Sequence, residues 1–118
     1  MEYQIKPKKT KKMSKEEEIM RLLELKDNWM YKNPPNTEKI TDIISDLNYF
    51  RENTHKDFPY VNEFYFSNME HADTFFEDAY DDLCEYLEVT PKNYSYFQSA
   101  MQHISNGIDN LINELKNI

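Results

Sequence analysis

The sequence predicts an all-α fold, a small helical bundle of about four helices with a disordered basic N-terminal tail. Three observations carry this. Apolar residues recur at steps of three and four, the period of a helix with one buried face. The runs are bounded by capping residues and prolines. The connections between them are short, as in antiparallel bundles. With 118 residues, 39% hydrophobic and 31% charged, the chain is the size of one domain and has enough apolar material for one core.

Residues 1–15 carry six lysines (Lys6, Lys8, Lys9, Lys11, Lys12 and Lys15) against Glu2, a net +5, with Pro7 and no apolar period. We assign residues 1–14 to a flexible lysine-rich tail and 15–118 to a single acidic helical domain. Beyond residue 15, 8 Lys+Arg face 21 Asp+Glu, so the body carries −13 and the overall −8 conceals a bipolar chain.

Ser14 with Glu17 forms a capping box, in which each side chain satisfies a free N–H of the helix start. A first helix over 15–31 follows, with Ile19, Leu22, Leu23, Trp29 and Met30 at helical spacing, stopped by Asn33-Pro34-Pro35. Asn36 or Thr37 caps a second helix over 37–53, striped by Ile40, Ile43, Ile44, Leu47 and Phe50. The aromatic stretch from Asp57 to Phe66 fits either a short strand or one to two helical turns; we favour a turn starting at Pro59. Ser67 with Glu70 reads as a second capping box, opening a third helix over 68–88 with Met69, Ala72, Phe76, Ala79, Tyr80, Leu83 and Leu87 on one face. Thr90 with Pro91 at the first helical position opens the fourth, running from 91 nearly to the C-terminus.

That fourth helix places Tyr94, Phe97, Met101, Ile104, Ile108, Leu111, Leu115 and Ile118 in an unbroken heptad seam. Its flanks are small or apolar more often than charged, and Ala100 and Gly107 admit a close neighbour. Packing within one chain is therefore favoured, a monomer, over a homodimer through residues 91–118.

One glycine, Gly107, excludes P-loop NTPases, dinucleotide-binding βαβ units and protein kinases, whose phosphate loops need several. One cysteine, Cys84, permits no internal disulfide. No apolar run is long enough to span a bilayer and no apolar signal core follows the lysines, so we expect a cytoplasmic protein without membrane contact. Lysine, asparagine and isoleucine are frequent, which suits a low-GC bacterium, its phage or a large DNA virus.

A di-iron bundle needs two Glu-x-x-His pairs with two further glutamates. Glu52 and His55 form the only such pair, and Asn68 and Ala100 stand three residues before His71 and His103. We assign no metal, cofactor or catalytic residue. Cys84 lies among Asp81, Asp82 and Glu85, where negative charge raises a thiol's pKa and suppresses the nucleophile.

From Asp57 to Pro91 there are ten acids and no lysine or arginine. Eight of the ten lie on the third helix, where they cover an arc of about 180° opposite its apolar face. Like charges at i,i+4 cost about 0.2–0.5 kcal/mol each. This helix holds four such pairs: Asp73/Glu77, Glu77/Asp81, Asp78/Asp82 and Asp81/Glu85. Eight carboxylates along a rise of about 27 Å amount to about one per 3.4 Å, near the phosphate spacing per strand of DNA. Phe58, Tyr60, Phe64, Tyr65, Phe66, Tyr80 and Tyr86 add aromatic material nearby. In general character this is similar to inhibitors that act by resembling DNA.

The sequence therefore predicts a non-catalytic inhibitor or decoy of a basic nucleic-acid-binding protein or nuclease, of the anti-CRISPR or anti-restriction type. The partner-binding residues are Glu63, Tyr65, Glu70, Asp73, Glu77, Asp78, Asp81, Asp82, Glu85 and Glu88. Direct nucleic-acid binding by the acidic body is disfavoured by its charge. The alternatives are an antitoxin or immunity protein that covers a basic toxin, and a small helical carboxylate enzyme or metal carrier. An acidic face that serves solubility alone is the plain alternative to all three.

Overall fold

The computed structural model describes residues 14–67 and 71–118, and among these every regular element is a helix: α1 (Lys15–Trp29), α2 (Thr37–Asp57), α3 (Pro59–Tyr65), α4 (Asp73–Glu88) and α5 (Tyr94–Asn117). Residues 1–13 of the lysine tail lie outside them.

α1 opens as the capping box requires. The Ser14 hydroxyl accepts from the Glu17 N–H at 3.2 Å and the Glu17 carboxylate accepts from the Ser14 N–H at 2.8 Å. The helix ends at Trp29 because Met30 is already extended, two residues short of the expected 31. Leu23, expected in the core stripe, is exposed; Leu22, Leu25 and Trp29 are buried. Asn36 caps α2 through its side chain and the Lys39 N–H. This helix runs to Asp57 rather than 53; Asn53 and Thr54 stay within it, their side chains bonded back to the Tyr49 and Phe50 carbonyls instead of ending it. Pro59 stops it by holding Phe58 out of the helical region.

α3 starts at Pro59 as favoured. It has no side-chain cap of its own. A residue far away supplies one: the fully buried Glu18 of α1 accepts from the N–H groups of Tyr60 at 2.9 Å and Val61 at 3.0 Å. These are donors that a helix start leaves free, and a carboxylate suits that end of the helix dipole.

Two expected helix starts move. α4 begins at Asp73, not 68. Glu70 of the expected capping box lies outside the described residues, and the Ser67 hydroxyl donates to the Phe64 carbonyl instead. α5 begins at Tyr94, not 91, capped by Asn93, whose Oδ1 accepts from both the backbone N–H and the hydroxyl of Ser95. Thr90 and Pro91 belong to the connection, and the peptide between them is cis.

α5 is the central helix. It packs against α4, α1 and α3, while α2 lies on α4 and α3. α4 and α5 are antiparallel, with Tyr86 beside Phe97 at one end and Phe76 beside Gly107 at the other. The expected seam is internal to the chain: Phe97, Met101, Ile104, Ile108, Leu111 and Leu115 are buried, and only its ends, Tyr94 and Ile118, are largely exposed. Phe50 is the hub of the other half of the core. Its ring meets Trp29, Phe58 and Tyr65 edge-on and Phe76 at a tilt, with centroids 5.2–6.0 Å apart. Aromatic edges and faces attract at such separations.

Gly107 sets the approach of α4 to α5. A Cβ there would stand 2.8 Å from Cζ of Phe76 and 2.9 Å from Cβ of Phe75. Gly107→Ala gains about 1 kcal/mol of helix propensity and loses about 1–3 kcal/mol to overpacking. We expect a net fall in the thermal midpoint by circular dichroism, and a larger one for Gly107→Val. Leu111→Asp puts an unpaired carboxylate at a fully buried position, which costs several kcal/mol. Its cooperative melt should disappear.

Candidate functional site

α4 is built to present one side. Phe76, Ala79 and Leu83 are buried, and Glu77, Asp81, Glu85 and Glu88 are exposed on the opposite face. Asp78 and Asp82 are half-buried on its flank. Among the described residues no ion pair reaches Glu77, Asp78, Asp81, Glu85 or Glu88; Asp82 has His103 of α5, with Nε2 at 3.6 Å from its Oδ2. Glu63, on α3, is also exposed.

Two residues expected at the docking face are not on it. Tyr65 is fully buried, and its hydroxyl donates to Asp73 Oδ1 at 2.9 Å. Asp73 is buried as well, gripped in bidentate fashion by Arg51 of α2: Nε donates to Oδ1 at 2.8 Å and the terminal nitrogen Nη2 to Oδ2 at 2.9 Å. The charge of Asp73 is therefore matched by Arg51, which Glu77 also attracts weakly. Spacing within α4 holds the missed signal. Asp73 precedes Phe76 by three residues and so belongs to the buried stripe, not the outer arc. Glu18 could have been placed by the same rule, four residues before Leu22. Arg51 carried no local sign of its partner, 22 residues away.

Burial by itself raises the Asp73 carboxyl. The hydrogen bonds from Arg51 and Tyr65 and the Arg51 charge more than offset this, and hold it below the usual carboxylate range. At Asp46 burial prevails. Its Oδ1 and the Trp29 indole Nε1 are buried without a well-formed hydrogen bond, and the carboxyl is pushed up, the nearby indole opposing this only in part. The Cys84 thiol is also pushed up, first by burial and then by Glu88 and Asp81, the Tyr80 hydroxyl opposing. That is the direction expected of it.

Of the aromatics near the face, Phe58 and Tyr65 are fully buried, Tyr60, Phe64, Tyr80 and Tyr86 are half-buried, and Phe66 stands largely in solvent against Tyr65 and His71. Lys92 marks the end of the acidic row. Its ammonium donates to the Leu87 carbonyl at 2.7 Å and lies over the Tyr86 ring, where a cation suits the helix C-terminus. Glu52 and His55 are exposed on α2. No three His, Cys, Asp or Glu side chains among the described residues come close enough to hold a metal ion. No helix there is long and apolar enough to cross a membrane. Comparison of the chain with protein-family models, with curated proteins and with solved structures gave no match.

The two perturbed carboxylates give opposite pH signs. Asp73, held low, contributes stability above the ordinary carboxylate range that is lost as pH falls through its lowered pKa. Arg51→Met should cost about 2–3 kcal/mol at neutral pH in urea unfolding, below the about 3–5 of a wholly buried pair because Arg51 is partly exposed, and less in acid. Asp46, held high, contributes stability at low pH that is lost as pH rises through its raised pKa. Asp46→Asn should therefore melt higher than the parent at neutral pH, with the gain vanishing in acid.

Proposed function

We propose that the protein is a non-catalytic inhibitor or decoy that occupies the nucleic-acid groove of a basic partner, such as a defence nuclease, as an anti-CRISPR or anti-restriction factor does. The observation that carries this is the outer row of α4. From Glu77 to Glu88 the helix rises about 16 Å and presents six carboxylates, one per about 2.7 Å, a line density no lower than the one charge per about 3.4 Å along a strand of DNA. Exposed or half-buried, they stand on a helix whose other face is clamped by α5 and, through Arg51, by α2. A charge array fixed before contact loses little conformational freedom on binding.

The row also opposes stability. Glu77/Asp81, Asp78/Asp82 and Asp81/Glu85 are like pairs at i,i+4, about 1 kcal/mol of repulsion together. Solubility does not require them to share one face, whereas a basic groove does. Acidic surfaces speed encounter with basic ones and repel nucleic acid itself, so the body is assigned a protein partner.

Glu77→Lys, Asp81→Lys and Glu88→Lys combined should abolish capture of the partner from the native cell while the circular dichroism melt stays unchanged or rises. Wild-type capture should weaken with salt, since the screening length is about 8–10 Å near physiological ionic strength. A folded triple variant that captures the same partner would overturn the proposal.

A further inference from the structure

α1 is apolar on two faces, and the fold buries one of them. Leu22, Leu25 and Trp29 enter the core, while Met20 and Leu23 stand 61% and 44% exposed. Met20 and Leu23 lie one turn apart, with the acids Glu16 and Asp27 in line with them at steps of four and Met30 just past the helix end. Past Asp27 this line of residues meets a groove of about 330 Å³ between the α1–α2 connection and the first turns of α5, with Met30, Tyr31, Tyr94, Phe97 and Met101 as its apolar wall and Lys32 and three polar side chains of α5 completing it. Methionines suit such a groove because their flexible thioethers adapt to an incoming side chain.

The exposed charge on this side of α1 is acidic, and Arg21 is half-buried with a partner of its own. Glu16, Glu24 and Asp27 are exposed, while Lys26 is bonded to Asp109 and Lys15 to the Ile118 carbonyl, both turned to α5. A second copy of this chain would bring the same acids against themselves. A helix with an apolar stripe flanked by lysine or arginine complements both features, in the mode of a helix laid along an apolar groove.

We propose that this face of α1 docks a basic amphipathic helix of another protein. Its apolar stripe lies on Met20 and Leu23, its cations meet Glu16, Glu24 and Asp27, and one large side chain enters the groove between Met30 and Met101. α1 packs on α5 and α3, and α4 on α5 and α2, so this surface is separate from the acidic row of α4 and independent of the function proposed for it.

The test is fluorescence anisotropy of a labelled synthetic Leu/Lys heptad peptide of about 14 residues, titrated with the full-length protein at about 0.15 M salt. Met20→Ser with Leu23→Ser should weaken binding at least about tenfold, and Glu24→Lys with Asp27→Lys about fivefold or more, with unchanged melts because all four side chains are exposed. Asp81→Lys with Glu85→Lys on α4 should change it less than about twofold. Four results would overturn the proposal. They are no binding by the wild type, binding that survives the Met20/Leu23 changes or is lost through the α4 changes, and a wild-type dimer in sedimentation that Met20→Ser with Leu23→Ser dissociates.

Discussion

The carboxylate of Asp73 is the point on which the placement of α4 depends. It receives two hydrogen bonds from Arg51 of α2 and one from Tyr65 at the end of α3, so three helices meet at one side chain. A bidentate guanidinium fixes direction as well as distance. With the first residue of α4 held inward, its 3.6-residue period places Phe76, Ala79 and Leu83 against the core and Glu77, Asp81, Glu85 and Glu88 outside. Asp73 thus gives up any place on the acidic face and sets the rotation of the helix that displays it.

The same logic operates at α3. Seven residues are too few to stand as an isolated helix in water, and α3 is held by groups from outside it. Glu18 of α1 takes its first free N–H groups, and Val61 and Tyr65 bury their side chains. Buried carboxylates are costly unless paired or richly hydrogen-bonded. Here two of them, Glu18 and Asp73, each close a gap between helices that apolar packing alone would leave with unsatisfied donors.

What was legible in the sequence was local. The Ser14 and Glu17 box, the Asn36 cap, the helical turn at Pro59 and the α5 seam rest on neighbours within a few residues or on one repeating period, and each stands where it was expected. The misplaced boundaries come from signals with local rivals. Ser67 gives its hydroxyl to Phe64 instead of capping a helix, and Asn93 displaces Thr90 as the α5 cap. The acidic face was legible in charge and mostly in extent, since Glu77, Asp78, Asp81, Asp82, Glu85 and Glu88 lie on one side of α4. Asp73 was misassigned to it because a count of charges ignores which stripe they occupy, and Tyr65 because a count of aromatics does not say which rings are buried. The long-range partners, Arg51 with Asp73 and Glu18 with Tyr60 and Val61, leave no mark in sequence spacing.

The distribution of cations completes this account. Arg51 neutralises a buried acid, Lys26 ties Asp109 across α1 and α5, and Lys92 lies on the C-terminal carbonyls of α4. Each sits where it joins two elements or ends one, and among the described residues no lysine or arginine forms an ion pair with the row from Glu77 to Glu88, Arg51 attracting Glu77 only at a distance. A like-charge pair at i,i+4 is relieved by a single opposite charge one turn away, and exposed positions beside the row, Thr74 among them, would accept a lysine without disturbing the core. Had fold stability alone shaped α4, mixed signs would be the simpler solution. The outer face of the helix instead carries charge of one sign, which is why we propose it as a surface for a partner.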